Sequence, residues 1–454
     1  MKRANRVKWL TVVVVASLAA SCGDEGPDST TSTVVVQATA ELTGADGGTE
    51  TTAATTISTT TTIPPPPVED LLFVPESFRD RLVELVEETQ MLRGLAFTNP
   101  LPIEAVTSQE MARRLRSRVE DDPDLSELYQ SLFHLLGLID AETDWVSVLA
   151  GLRSRPTPAF YDAADQVLWL ASTLEQPTPF EEMILVGEIA KALVDHNLDI
   201  WTRLERLGAT GDSDSLTAWE AMAEADAILV ELLFLEGLTE AAQQEVTEHV
   251  WMLSADGEAL PSFVEGSLRF ASGPTLDYLQ RLFQLGGWDL INDTHDEPPA
   301  STEHILSLGV GQLVPVLLPR PGVSAPEGYQ EVSDAVWGQW GWETLLSSAL
   351  GPERAFPAAW GWGGDRYLLF SDGSEVALVV DYIGDTAEDT EEMRVALAEF
   401  IQDRMAVGEG RWREGGNEYY DDDYAWLSGE GELLTFIAAT DVTAGRDLRS
   451  SRGG

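Results

Sequence analysis

The sequence predicts an α+β chain, a helix-rich domain with a small sheet over residues 68–310 followed by a smaller α+β layer domain over 325–447. Three observations predict it. Up to Pro298-Pro299, apolar residues recur mostly at helical spacing, and only LPIEAVT and VLWLAS read as short strands. Beyond those prolines the connector VGQLVPVLLPRPGV is apolar and broken by proline. The last stretch then presents RYLLFSDG with EVALVVDYI, and YAWLSGEG with ELLTFIAATD, as two hairpin-like pairs around one helix, the pattern of a compact layer. The span from Val68 to Asp447 is long enough for two domains with real cores, and it carries no internal repeat of useful length.

The first element is a secretory signal over residues 1–21. Lys2, Arg3, Arg6 and Lys8 precede the apolar run WLTVVVVASLAA, which is too short for a resident membrane span. Cys22 is the sole cysteine among 454 residues, so no disulfide framework can form. The stretch LAASC resembles a bacterial lipobox, with Ala19 where leucine is commoner, and this implies that Cys22 receives diacylglycerol and becomes the mature N-terminus. Residues 22–67 read as a tether. From Gly23 to Pro67 there is no aromatic residue to bury, and the closing run of four prolines favours an extended spacer. These elements place the folded part on the outer face of the cytoplasmic membrane, held there by lipid.

Charge excludes one class of partner. With 77 acidic against 28 basic side chains the precursor carries −49, and removing the four basic residues of 1–21 gives −53. Such a field repels nucleic acid and anionic headgroups, and it attracts cations.

Folded elements begin at ESFRDRLVELVEETQMLRGLAF, whose Phe78, Leu82, Leu85, Val86 and Leu92 share one helical face, with Asn99-Pro100 as the stop. The strand LPIEAVT comes next, then helices near 108–120 and 124–137, then the strand VLWLAS. After Pro177-Thr178-Pro179 a helix opens with an acidic first turn and runs through EEMILVGEIAKALVDHNLDI. Further helices are expected at 216–235, 239–252 and 274–285. In the last third the pattern predicts helices at 329–350 and 387–405.

The helix at 181–200 carries the main question. From Gly187 to Lys191 it reads Gly-Glu-x-x-Lys, where a zinc peptidase has His-Glu-x-x-His, two imidazoles one turn apart on the metal. In chain order, VELVEETQMLRGLAF, AFYDAADQVLWLAS, this helix, AMAEADAILV, LQRLFQLGGWDLINDTHDEPPASTEHIL and WGWGGDRYLLF with DTAEDTEEMRVAL resemble a family of secreted bacterial proteins built like gluzincin metallopeptidases. The likeness spans about residues 78–400. In that family the helix reads His-Glu-Leu-x-His-Ala-Leu-x-Asp, and a later Ala-x-x-Glu-Gly-(Asp/Glu)-Ala helix supplies a glutamate. The resemblance places the first zinc histidine on Gly187, the general-base glutamate on Glu188, the second histidine on Lys191 and the third ligand on Glu224, 36 residues beyond Glu188. Leu193 and Asp195 still match, while Phe270 stands where a tyrosine is expected.

Zinc hydrolysis needs three protein ligands and an activated water. Gly187 offers no donor and Lys191 is a cation, so the resemblance implies a degenerate member that holds no metal and no other cofactor. The five histidines contain no pair at metal-ligand spacing on a helix, and His196 reads as structural. The expected function is therefore that of a lipid-anchored pseudopeptidase, binding a protein, peptide or cell-wall partner. The alternative is a hydrolase that uses a carboxylate pair, Glu188 with Glu224 or Asp226, on an unidentified substrate. If the helix pair is kept, Lys191 is expected to replace the metal's charge against Glu224, its stem occupying the room left by Gly187.

Other constellations read as structural. The acidic run NEYYDDDYAWLSGEGE at 417–432 lacks the glycine and terminal glutamate of a calcium loop and predicts a solvated hairpin. The glycines of GWGGD at 361–365 read as turn geometry. Trp337, Trp340, Trp342, Trp360 and Trp362 are assigned to core packing in preference to a glycan-binding cleft.

Overall fold

The computed structural model describes residues 74–120, 123–140, 142–153, 157–256, 260–309, 315–413, 415–428 and 431–452. The signal, Cys22 and the tether lie outside the described residues. The architecture is α+β, with a small three-stranded sheet in the helix-rich part and a seven-stranded sheet towards the C-terminus.

Helix α1 (Glu76–Arg93) stops earlier than Asn99-Pro100 suggests. Gly94, at φ 72°, takes the left-handed C-terminal position and donates to the Gln90 carbonyl at 3.0 Å. Strand β1 (Ile103–Val106), helices α2 (Ser108–Glu120), α3 (Pro123–Leu135) and α4 (Trp145–Arg153), and strands β2 (Ala159–Asp162) and β3 (Val167–Ala171) follow. The sheet order is β1-β3-β2, with β1 parallel and β2 antiparallel to β3. Neither α4 nor β2 was separately legible in the sequence pattern.

Helix α5 (Pro179–Leu198) begins at a full capping box. The Thr178 hydroxyl accepts from the Glu181 N–H while the Glu181 carboxylate accepts from the Thr178 N–H. Residues 183–190 of α5 are all buried, so this is a core helix. It is followed by α6 (Ile200–Gly208), α7 (Ser213–Gly237), α8 (Glu240–Asp256) and α9 (Ser262–Phe270). A π-turn (Ala271–Thr275) leads into α10 (Leu276–Asp296), which breaks at Gly287 (φ 63°, ψ −154°), a backbone state only glycine adopts readily. The short helix α11 (Thr302–Leu306) closes this part.

In the last third, the helix expected over 329–350 is a strand followed by a helix: β4 (Gln330–Ala335), then α12 (Gly338–Leu350). The break falls at Gly338, at φ 73°, where an added Cβ would stand 1.7 Å from an Asp214 oxygen of α7. Helix α13 (Pro352–Ala359), strands β5 (Trp362–Ser371) and β6 (Val376–Gly384), and α14 (Ala387–Arg404) come next. Strands β7 (Arg411–Arg413), β8 (Gly416–Tyr420), β9 (Tyr424–Ser428) and β10 (Leu434–Ala439), then α15 (Val442–Ser451), complete the chain. The antiparallel order is β4-β5-β6-β10-β9-β8-β7, so the two expected hairpins sit side by side and are extended at both edges. Residues 416–428 form the expected hairpin around Asp421, Asp422 and Asp423.

One face of this sheet carries α12, α13 and α14, and the other carries α15. Trp342 and Trp362 are buried in the core, whereas Trp360, expected to pack there, is 45% exposed and lies against Phe356 at the surface. Buried Asp365 accepts from the Trp337 and Gly338 backbone N–H groups and from the indoles of Trp342 and Trp362, all at 2.8–3.0 Å. Leu132 and Leu135 of α3, with the following Leu136, lie in the same core as Val380, Phe400 and Phe436, so packing crosses from the helix-rich part into the seven-stranded layer.

Candidate functional site

Helix α5 lies against α7, and small Ala221, Ala225 and Ala227 on α7 permit a close approach. The structure brings Glu188, Lys191 and Glu224 together. The Lys191 ammonium donates to Glu188 Oε1 at 3.0 Å and lies 2.8 Å from Glu224 Oε2. The second contact is an ion pair, and Glu224 Oε2 has no other partner. The Lys191, Glu188 and Glu224 side chains are 17%, 5% and 12% exposed, which puts the cluster in a medium where Coulomb attraction is strong. Burial pulls the Lys191 ammonium towards its neutral form, but Glu188 and Glu224 outweigh it and hold the charge in place. Burial, opposed by Lys191, pushes the Glu224 carboxyl up.

Glu188 works in two directions. Its Oε2 accepts from the Tyr161 backbone N–H of β2 at 2.7 Å, so the same carboxylate ties α5 to the small sheet. Two turns on, Asp195 accepts from the Tyr161 hydroxyl and from the Trp201 N–H, both at 2.7 Å, fixing β2 and the start of α6. His196 binds Thr98 through Nε2 and packs edge-on against Phe97, a structural role.

The room left by Gly187 is filled by a residue that the sequence reading missed. A Cβ built on Gly187 would stand 1.9 Å from Glu231 Oε1, so the space belongs to the Glu231 carboxyl and not to the stem of Lys191. A signal was present: Glu224 and Glu231 are seven apart on α7, two turns along one face. Glu231 keeps some accessible surface, yet protein crowds its carboxyl. Burial, with Glu188 and Glu224 reinforcing it against Lys191, pushes it up to about 8.

Asp226, the alternative partner for Glu188, is committed elsewhere. Fully buried Arg93 grips it with two hydrogen bonds of 2.7 and 2.9 Å. His295 Nε2 lies 3.0 Å from its other face, and Trp219, which can only donate, points at His295 Nδ1 at 3.4 Å, so Nε2 carries the hydrogen given to Asp226. Burial alone would raise this carboxyl, but Arg93 and His295 bring it below the usual carboxylate range. Arg93 also gives a hydrogen bond to Asn292 and stacks 4.2 Å over Trp288, which ties α1, α7 and α10 together.

Residues 327–449 match a family described as a domain of unknown function, DUF8575. No curated protein and no solved structure matches the chain. The match covers the seven-stranded layer with its helices and leaves the Lys191 cluster outside it.

The cluster does not fit a zinc ion. Gly187 supplies no donor atom, and an ammonium stands between the carboxylates that would have to coordinate. Among the described residues, no group of three or more His, Cys, Asp and Glu side chains is arranged to hold a metal.

Proposed function

We propose that this protein is a degenerate relative of gluzincin-like metallopeptidases, anchored by lipid at Cys22 to the outer face of the cytoplasmic membrane. In this reading it acts as a binding or structural protein for a protein, peptide or cell-wall partner. The observation that carries the reading is the position of the Lys191 ammonium, 3.0 and 2.8 Å from Glu188 and Glu224, where a divalent ion would otherwise balance two buried carboxylates. A hydrolase built on a carboxylate pair needs one carboxyl to exchange a proton with substrate. Here Glu188 and Glu224 share one ammonium, and Asp226 is held by Arg93 and His295.

The test is elemental analysis of the full chain purified from zinc-rich medium without chelators, alongside a broad hydrolase screen of wild type and Glu188→Gln. The expected result is no stoichiometric zinc and no activity that depends on Glu188. A ratio near one zinc per chain that disappears in Glu224→Ala, or hydrolysis abolished by Glu188→Gln, overturns the proposal. The anchor is checked by fatty-acid labelling of wild type and Cys22→Ser, and equal release of both into the medium removes that part of the reading.

A further inference from the structure

On the helical face of the seven-stranded sheet, α14 lies over β6 and β9, and β8, with Gly410 just ahead of the edge strand β7, forms the floor of an open cleft of about 710 Å³. The strand register says which side chains reach it. Asn417 stands opposite Leu427, a core residue on the helical face, and Tyr419 packs in that same core, so both face the cleft. Trp412 of β7 is paired with Asn417 and therefore stands on the same face, 59% exposed. It differs from Trp337, Trp342 and Trp362, which are enclosed around Asp365.

The walls are mixed, Ala349, Leu350, Val395 and Ala398 adding apolar surface beside the polar groups. Helix α14 presents Val395, Ala398, Glu399, Gln402 and Asp403 at helical spacing, and Arg354 of α13 closes the end in an ion pair with Glu399. The floor is fixed, because Gly410 carries no side chain and lets the Tyr419 ring lie against its backbone, where a Cβ would come within 2.5 Å. Among the described residues neither Asn417 nor Tyr419 gives its side-chain polar group to another residue. The cleft offers carboxylate and amide acceptors and amide, phenol and guanidinium donors, and the exposed Trp412 stands next to it, across from Asn417 on the neighbouring strand.

We propose that this cleft binds a neutral oligosaccharide, stacking the apolar face of one sugar ring on Trp412 and directing its hydroxyls to Asn417, Tyr419, Gln402 and Asp403. The chemistry selects this ligand. A polyhydroxylated ring offers donors and acceptors around its rim and C–H groups on its face, which matches both halves of the cleft. Glu399 and Asp403 against one arginine disfavour an anionic ligand, and so does the −49 charge of the chain. The inference is independent of the Lys191 cluster, which lies on other elements.

Binding of chitotetraose, cellotetraose, maltotetraose and xylotetraose to the full chain is measured by calorimetry and tryptophan emission. At least one probe is expected to bind saturably, with affinity lowered about tenfold by Trp412→Ala and by a smaller factor in Asn417→Ala. Trp251→Ala, an exposed tryptophan on α8, should leave binding unchanged, and far-UV dichroism checks that each variant is folded. Absence of binding by every probe at about 10 mM overturns the proposal, as does equal binding by Trp412→Ala. A concentration-dependent dimer abolished by Trp412→Ala would assign the cleft to a second copy of the chain. Capture of a lysine-rich amphipathic helical peptide at this cleft in place of the sugars would assign it to a protein partner. Either result replaces the oligosaccharide.

Discussion

At the scale of single residues, the Lys191 cluster sets three carboxyl groups around one ammonium, and its energetics follow from that imbalance. Removing either partner of a buried pair strands a charge. A double-mutant cycle with Lys191→Met and Glu224→Gln, followed by urea denaturation, should therefore show coupling of about 1 to 3 kcal/mol. Coupling near zero would mean that the two charges are solvated separately. Glu231 makes a second prediction. Its native carboxyl titrates at about 8 against an ordinary 4.5, so between those values the native state holds a proton that the unfolded chain has lost. Stability from this group is complete below about 4.5 and falls as pH rises towards 8. Glu231→Gln should thus match wild type near pH 4 and exceed it by on the order of 2 to 4 kcal/mol at pH 9. A constant difference across that range would contradict the assignment. Glu188, Lys191 and Glu224 were singled out by the resemblance to gluzincin-like helices, with i, i+3 neighbours sharing a helix face and small residues marking a helix contact as support. Glu231 was not, since its role depends on how α5 and α7 register, and the vacancy at Gly187 suits a lysine stem or a carboxyl equally well on paper.

At the scale of elements, Gly187 gives a test whose sign is diagnostic. Replacing a mid-helix glycine by alanine ordinarily stabilises by about 1 kcal/mol. In this protein Gly187→Ala should lose that gain or destabilise, because the new methyl must displace the Glu231 carboxyl. In a Glu231→Ala background the ordinary gain should return, and thermal melts of the four variants decide it. The start of α5 is a simpler case. Thr178→Ala removes the hydroxyl that accepts from Glu181 and should cost about 1 kcal/mol. Capping and periodicity made α5, α7 and α14 readable, since each carries its own local signals. The strand β4 was not readable, because its six residues precede a helix of similar composition and the break rests on Gly338 meeting Asp214 and Asp365 from other elements. The edge strand β7 is three residues long and wholly exposed, so no burial pattern marks it.

At the scale of the whole molecule, the composition change after Pro298-Pro299 correctly announced a second layer, yet it hid how the layers share a core. Leu135 is 1% exposed and, with Leu132 and Leu136, packs in a core whose other buried residues all lie beyond 330. Leu135→Ala should cost about 2 to 5 kcal/mol and lower the unfolding midpoint read from the C-terminal sheet, not only that of the helices. Limited proteolysis with mass mapping can locate the loss, and cleavage confined to 74–140 would argue against the shared core. This arrangement also sets a timetable. A nascent chain emerges from its N-terminus, and Leu132, Leu135 and Leu136 are made well before Val380, Phe400 and Phe436, the residues that will cover them. For the whole of that interval three leucines await a surface that does not yet exist, so the sequence needs either a holding partner or speed in its final third.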